Sequence, residues 1–270
     1  TTRVVIITGG ASGIGRAFAE LLASKGCLVI IADRQEDLAK EVVAGIISAG
    51  GSARAVALNV CDFDAVNTVV NDVYESEGQI DYMFNNAGIG IGGEAIDHDM
   101  DDWKQTIDVN LMGVVHGIQA VYPLMIKQGY GQIINTASIA GLVIAPAMIA
   151  YTASKHAVYS LSSALRSEAK THGVKVNVLC PGFIDTAILT GGRYGRMKFS
   201  EQIKAQLEIR ESTKPMNVQH FAEKAWGKIE RNQGIIIFPA RYRVLWWLFR
   251  LMPTVMTNWF RGHAVKLMSE

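Results

Sequence analysis

The stretch Val4-Val5-Ile6-Ile7-Thr8-Gly9-Gly10-Ala11-Ser12-Gly13-Ile14-Gly15 decides the fold. It opens with a short apolar run, typical of a strand that is buried on both faces. Glycine-rich sequence follows, and apolar residues then recur at helical spacing, at Ile14, Phe18, Leu21 and Leu22. The segment therefore predicts a strand, a tight turn and a helix, which is the first unit of an α/β protein.

The same alternation continues along the chain. We predict strands at residues 4–8, 28–33, 53–60, 80–85, 132–138, 174–179 and 235–238, with amphipathic helical segments between them. Such strands predict a parallel sheet covered by helices on both faces. The expected fold is therefore α/β, a doubly wound Rossmann-type sheet of seven parallel strands. We expect one domain over residues 1–240, a glycine-containing substrate loop at about 185–215, and a C-terminal extension at 241–270.

Composition narrows the class of protein. The chain has 270 residues, of which 49% are hydrophobic and 19% charged, and this fits one large globular domain. A net charge of +1 gives no bias toward nucleic acid. Cys27, Cys61 and Cys180 are odd in number and widely spaced, which argues against a disulfide framework or a zinc site. We expect no metal, and a cytoplasmic location because no targeting segment is visible.

The glycine-rich turn is suited to bind a pyrophosphate. Glycines let the backbone approach the anion, and the helix that follows presents N–H groups and the positive end of its dipole. A sharp turn without a ligand is the alternative, but the strand before and the helix after supply the context of a dinucleotide site. The expected contacts are Gly9, Ser12, Gly13, Ile14 and Gly15.

Asp33 ends the second predicted strand, 18 residues after Gly15. A carboxylate there can accept hydrogen bonds from the ribose hydroxyls of adenosine, and it would repel a 2′-phosphate. Arg34 could instead pair with such a phosphate, or it could be a solvated surface charge. Because Ser12 adds no second positive charge, we expect NAD as the cofactor and regard NADP as the alternative.

Further motifs follow in order, and together they carry a family resemblance. They are Asn85-Asn86-Ala87-Gly88, Asn110, Ser138, Tyr151-x-x-x-Lys155 and Pro181-Gly182. With the glycine turn, they resemble the compact single-domain branch of the short-chain dehydrogenase/reductase family over roughly residues 3–240. One motif departs from the family, since Asn59-Val60 stands where an Asp-Val pair is frequent. An Asn side chain can still bond to an adenine edge.

The resemblance implies an oxidoreductase and assigns roles to individual residues. Asn110, Ser138, Tyr151 and Lys155 would be the catalytic set, with Asn110 positioning a water that relays protons. Cofactor contacts would come from Asn59, Val60, Asn86, Ala87, Gly88, Tyr151, Lys155, Pro181, Gly182, Ile184 and Thr186. Family members are commonly dimers or tetramers joined through their long helices, so the resemblance also implies a homodimer or homotetramer.

The tyrosine and the lysine make chemical sense together. Reducing a ketone needs a proton delivered to oxygen, and a free tyrosine has a pKa of ~10, too high for efficient exchange near neutrality. Lys155 lies four residues after Tyr151, hence on the same helical face, and its ammonium is expected to lower the pKa of the phenol. The predicted function is an NAD(H)-dependent interconversion of a secondary alcohol and a ketone. A non-catalytic dinucleotide-binding scaffold or sensor, recruited to a membrane or partner by its tail, is the alternative.

Two segments, residues 139–148 and 183–215, should flank the substrate. Their side chains are mostly apolar, which favours a hydrophobic small molecule. The expected substrate contacts are Ser138, Ile144, Met148, Tyr151, Phe183 and Leu189. Nearby positive charges could meet an acidic group of the substrate or simply be solvated, at Arg193, Arg196 and Lys198.

The C-terminal extension, residues 241–270, has a composition of its own. It contains five Lys or Arg residues and one acidic residue, and its apolar residues recur near helical spacing. Arg250 and Pro253 interrupt the apolar run, so it does not predict a membrane-spanning helix. A basic amphipathic helix could lie on a membrane surface, cover the substrate pocket or pack against a second subunit. These three alternatives stay open at the level of sequence.

Overall fold

A parallel sheet of seven strands forms the centre of the protein in the computed structural model, which describes residues 2–198 and 215–269. The strands are β1 (Val4–Thr8), β2 (Leu28–Asp33), β3 (Ser52–Ala57), β4 (Tyr82–Asn85), β5 (Gly131–Thr136), β6 (Val174–Pro181) and β7 (Ile235–Phe238). Their spatial order is β3-β2-β1-β4-β5-β6-β7, and every neighbouring pair is parallel. This is the doubly wound order, so the predicted Rossmann-type fold is confirmed.

Nine α-helices accompany the sheet in the described part of the chain. They are α1 (Gly13–Ser24), α2 (Glu36–Ser48), α3 (Phe63–Glu77), α4 (Met100–Ile107), α5 (Gly113–Gln128), α6 (Ile149–Ala169), α7 (Val218–Glu230), α8 (Arg241–Leu251) and α9 (Pro253–Ser269). Helices α3, α5 and α6 cover one face of the sheet, and α1, α2 and α7 cover the other. Each face buries its own apolar cluster, which explains why the strands are apolar on both sides.

The longest helical stretch, Met100–Gln128, is long and apolar enough to cross a membrane by length and composition. Its apolar face packs on the sheet, through Val114, Ile118, Val121 and Met125. The apolarity of this stretch is therefore that of a core helix.

The predicted third strand is too long at its end. Residues 58–60 leave the sheet after Ala57, although Leu58 and Val60 remain buried. Asn59 lies between them, is exposed, and accepts a hydrogen bond from the Cys61 N–H over 3.2 Å. Apolar side chains of a loop that returns to the core produced the same pattern as a strand.

The C-terminal extension folds as the helices α8 and α9. Pro253 begins α9, where its fixed backbone angle and missing N–H are tolerated. One side of α8 packs against the core, through Tyr242, Leu245, Trp246 and Phe249. Another side carries exposed Val244, Trp247 and Leu251. The predicted helical extension is confirmed, and α8 has apolar residues on two sides rather than one.

The first part of the predicted substrate loop contains two short regular elements. A 3₁₀ turn covers Ala187–Thr190, and the two-residue strand Arg196–Met197 pairs in parallel with Ile91–Gly92. Residues 199–214 of the predicted loop lie outside the described residues. The loop therefore returns to the chain segment that follows β4.

Candidate active site

The turn after β1 is packed so closely that Gly9 and Gly15 have no room for a side chain. Gly9 has φ +64°, and a Cβ there would lie 2.8 Å from the Ala87 Cα. A Cβ at Gly15 would overlap the Gly9 carbonyl and approach the Asn86 Nδ2 to 2.6 Å. Ser12 stands at the N-cap of α1 without a side-chain capping bond, so the first N–H groups of α1 remain available to an anion.

Asp33 lies beside this turn, at the end of β2, and is 7% exposed. Its Oδ2 accepts a hydrogen bond from the Ala11 N–H over 3.0 Å, and its Oδ1 accepts one from the Gln35 N–H over 2.9 Å. These two bonds hold the carboxylate at the rim between β1 and β2. Arg34 is exposed, and its guanidinium carbon lies 4.9 Å from the ring centroid of Tyr194.

Thr8 joins the turn after β1 to the turn after β4. Its Oγ1 donates to the Phe84 carbonyl and accepts hydrogen bonds from the N–H groups of Asn86 and Ala87, over 2.9 and 3.2 Å. The Asn86 Nδ2 in turn donates to the Gly9 carbonyl. Sequence reasoning missed Thr8, and the signal that could have found it is its position directly before Gly9.

Val60 and Asn59, in the loop after β3, have different surroundings. Val60 packs on Gly113 of α5, where a Cβ would come within 2.8 Å of a Val60 methyl. The side chain of Asn59 accepts a hydrogen bond within its own loop, from the Cys61 N–H. Val60 is therefore buried against α5, whereas Asn59 stays at the surface.

Tyr151, Lys155 and Ser138 meet at the carboxyl end of β5. The Lys155 Nζ lies 5.7 Å from the ring centroid of Tyr151 and donates to the Thr136 carbonyl over 2.9 Å. The Ser138 hydroxyl lies close enough to the Tyr151 phenol to act to lower its pKa. Ser138 Oγ also accepts the Ala140 N–H over 3.1 Å, which fixes its position. Three of the four predicted catalytic residues thus share one place.

Asn110 joins them through a π-turn, Asp108–Met112, between α4 and α5. It is fully buried, and its amide both accepts from the Ile89 N–H (2.8 Å) and donates to the Ile89 carbonyl (3.0 Å). A Cβ at Gly88 would lie 3.2 Å from the Asn110 Oδ1 and 3.4 Å from the Lys155 Nζ. The fourth predicted catalytic residue and the lysine therefore both lie against Gly88.

The segment after β6 borders the glycine turn. Pro181 ends β6, and Thr186 lies beside the glycine turn, since a Cβ at Gly13 would be 3.3 Å from its methyl. Ile184 is 3% exposed and packs in the core, so only its backbone can reach a ligand. A Cβ at Gly182 would overlap the ring of Tyr242 from α8.

Comparison with known proteins decides the family. A family model described as short chain dehydrogenase matches residues 3–194. The chain belongs to the short-chain dehydrogenase family. It is 32% identical to an uncharacterized oxidoreductase of Staphylococcus aureus (strain N315), over 81% of this chain and 94% of the relative. It is 31% identical to one of Staphylococcus epidermidis, over 80% of this chain and 93% of the relative.

Solved structures give the same result. A short chain dehydrogenase/reductase from Burkholderia phymatum, solved in complex with NAD, superposes with a TM-score of 0.84. It is 32% identical, and the match covers 92% of this chain and 93% of that one. The resemblance stated from the sequence motifs is therefore confirmed, and this chain is an oxidoreductase of the short-chain dehydrogenase family.

Burial dominates the titration of the central pair in this dehydrogenase. It raises the pKa of Tyr151, against a smaller opposing effect of the Ser138 hydroxyl. It lowers the pKa of Lys155 from 10.5 to about 8. The expectation that the ammonium would lower the pKa of Tyr151 is wrong for the structure as described, because both groups are taken out of water together and the lysine donates to the Thr136 carbonyl.

The residues predicted to contact the substrate are mostly apolar. Ile144, Met148 and Leu189 are half-buried, whereas Phe183 is 42% exposed. The Phe183 ring lies 6.5 Å from that of Tyr242. The start of the C-terminal extension therefore adds an aromatic ring next to Phe183, which favours the pocket-covering alternative for that part of the extension.

Two basic residues of the substrate loop have a partner within the dehydrogenase. Arg196 and Lys198 both bind Asp102, a carboxylate that is fully buried near the start of α4, and Lys198 does so over 2.8 Å. Burial acts to raise the pKa of Asp102, but bonds from Lys198 and the Asp99 N–H, with the charge of Arg196, outweigh it and lower the pKa. The sequence had suggested that these two residues meet an acidic group of the substrate or are simply solvated. They instead form ion pairs with Asp102.

Proposed function

We propose that this dehydrogenase interconverts a secondary alcohol and a ketone on a hydrophobic small molecule, with NAD(H) as its cofactor. The observation that carries the proposal is the cluster of Tyr151, Ser138 and Lys155 at the carboxyl end of β5. In open α/β sheets, ligands bind at these ends of the strands. A phenol, a hydroxyl and an ammonium there form an acid/base device beside a dinucleotide crevice.

The crevice fits a dinucleotide. Gly9 and Gly15 bring the backbone close to the space before α1, whose first N–H groups suit a pyrophosphate. Asp33 is fixed at the rim where the adenosine ribose would be held. The residues proposed to hold the cofactor are Gly9, Ser12, Gly13, Ile14, Gly15, Asp33, Val60, Asn86, Ala87, Gly88, Tyr151, Lys155, Pro181, Gly182 and Thr186. When bound, NAD(H) accepts or supplies a hydride.

The roles of the chain's own residues follow from their positions. In the direction of ketone reduction, Ser138 holds the substrate oxygen and the Tyr151 hydroxyl gives it a proton. Lys155, which donates to the Thr136 carbonyl beside Tyr151, is proposed to bind the nicotinamide ribose rather than to lower the pKa of the phenol. Asn110 fixes the backbone of Ile89 next to Gly88 and is the proposed holder of a water that restores the proton.

The activity assay is direct. The purified chain is incubated with NAD and a panel of secondary alcohols, including steroid, retinoid, fatty and aromatic ones, and NADH is followed by absorbance. Turnover of apolar members is the expected result. NAD binding without turnover of any member would contradict the proposed activity and favour the non-catalytic scaffold or sensor.

Asp33→Ser is expected to change the preference between the two cofactors. The variant loses the charge that would repel a 2′-phosphate, while Arg34 remains beside it. We expect the Kd for NAD to rise roughly 10- to 100-fold, the range for losing a hydrogen bond to a charged group, and the Kd for NADP to fall. Titration by tryptophan fluorescence measures both. Asp37→Ser, an exposed acid of α2, is the control; equal ratios in the two variants would refute the role of Asp33.

For the solvent-facing side of the extension, we propose contact between subunits of a homo-oligomer, with a membrane surface as the alternative. The exposed side of α8 continues into Met252, Val255 and Trp259, and large exposed apolar patches mark interaction sites. Trp247→Ser with Leu251→Ser is expected to lower the mass in light scattering, whereas Ile47→Ser, an exposed residue of α2, leaves it unchanged. An unchanged mass with lost flotation on anionic vesicles would support the membrane instead. We propose a cytoplasmic location.

A further inference from the structure

The segment 186–198, here called the strap, bridges three rims of the dinucleotide crevice. At its start, Thr186 lies against Gly13 in the turn after β1. At its end, the Arg196 N–H donates to the Gly90 carbonyl over 3.0 Å, and the Lys198 N–H donates to the Gly92 carbonyl over 2.7 Å, both after β4. Between these points the strap reaches the residues that follow β2. A ligand at the ends of β1, β2 and β4 would therefore lie beneath it.

Tyr194 makes the contact with the rim after β2. The guanidinium carbon of Arg34 lies 4.9 Å from its ring centroid, and that of Arg193 lies 5.8 Å from it. The Arg193 Nη1 also donates to the Gln35 Oε1 over 3.3 Å. The Gln105 Nε2 of α4 donates to the Tyr194 carbonyl over 3.4 Å. The ring is thus held over the residues next to Asp33.

The return of the strap is fixed more firmly than its tip. Arg196 and Lys198 both bind the buried carboxylate of Asp102, and their backbones pair with the segment after β4. Exposed ring-to-cation contacts are weaker than such a buried, charge-assisted network. The contacts of Tyr194 are therefore weaker than those that hold the return of the strap.

We propose that Tyr194 is a positioning residue that closes the adenosine end of the cofactor site and limits the rate at which a dinucleotide leaves. The proposal rests on the proposed function, because it needs a dinucleotide in the crevice. Arg34 then serves as one half of the contact that closes the site. Because the contact lies at the adenosine end, it should slow the dissociation of a ligand that lacks nicotinamide as much as it slows that of NADH.

The test measures dissociation of NADH and of ADP-ribose by stopped-flow displacement, for the full chain and its Tyr194→Ala variant. Removing the ring is expected to raise both dissociation rate constants by about tenfold, since two cation contacts are lost. Tyr194→Phe keeps the ring and should stay within about twofold of the natural chain. Tyr130→Ala, which removes an exposed tyrosine far from the crevice, is the control.

Each outcome bears on the proposal. A Tyr194→Ala variant with an unchanged Tm and unchanged dissociation of ADP-ribose would overturn it, and so would faster release of NADH alone. If that variant does not fold, Arg193→Ala decides, with an expected two- to threefold faster release because one cation contact and one hydrogen bond are lost. Failure of the natural chain to bind NADH or ADP-ribose would instead refute the proposed cofactor site, and this inference with it.

Discussion

Tyr151→Phe is expected to lower kcat by about a thousandfold and to leave the Kd for NADH within about threefold. The change removes one hydroxyl from a half-buried ring and leaves its packing in place. General acid/base catalysis contributes roughly 10²- to 10⁴-fold, and Tyr151 is the only proposed proton donor to the substrate oxygen. An interaction made only in the transition state lowers kcat and kcat/KM together, with little effect on binding.

Steady-state kinetics and fluorescence titration check both numbers. Tyr159→Phe is the matched control, because Tyr159 lies two turns further along α6 and packs against the core. The control should keep its kcat. If Tyr151→Phe retained more than a tenth of the natural turnover, the proton would come from another group and the assignment of the acid/base would fall.

Lys155→Met is expected to make the protein more stable at pH 7 while abolishing turnover. Lys155 is 2% exposed, and burial lowers its pKa from 10.5 to about 8. At 1.36 kcal/mol per pKa unit, this difference corresponds to about 3 kcal/mol of destabilisation at pH 7, as an upper limit. Methionine fills a similar volume without a charge, so the variant should gain about 1–3 kcal/mol in the free energy of unfolding.

The pH dependence follows from the sign of the change. Between about pH 8 and 10.5, the unfolded chain holds a proton on Lys155 that the folded chain has released, so the unfolding free energy contributed by Lys155 rises with pH across this window. Denaturant unfolding of the natural chain minus that of Lys155→Met should show this rise. Lys170→Met, an exposed lysine just after α6, should show none. A variant that is less stable than the natural chain at pH 7 would contradict the argument.

The sequence was most informative where a local pattern and a local structure coincide. β1, β2 and β7 have the predicted bounds, because each is an apolar run that ends at a turn or a charged residue. The four predicted catalytic residues meet because they lie at or near the carboxyl ends of neighbouring strands or on the helices beside them. Topology therefore gathers residues that are up to 45 positions apart in the chain.

Contacts between distant loops could not be predicted from the sequence. Arg34 and Tyr194 are separated by 160 positions, and nothing in the pattern around either residue indicates the other. Asp102 resembles an ordinary acid in the first turn of a helix, yet it is fully buried by Arg196 and Lys198. Such pairs form only after the strap has been placed against α4 by the fold. The close packing of the Tyr242 ring on Gly182 likewise joins distant parts of the chain and could not be predicted from the sequence.

The π-turn at Asp108–Met112 has a consequence for how this chain tolerates change in length. A π-turn holds one residue more than an α-helix needs, so α4 and α5 are rotated relative to each other by roughly 100° compared with a straight continuation. Loss of a single residue there would keep the helix and its apolar character, yet it would swing Asn110 away from Ile89. Length in this short stretch is thus constrained more tightly than composition, and alignments that place gaps here would conceal a change of chemistry.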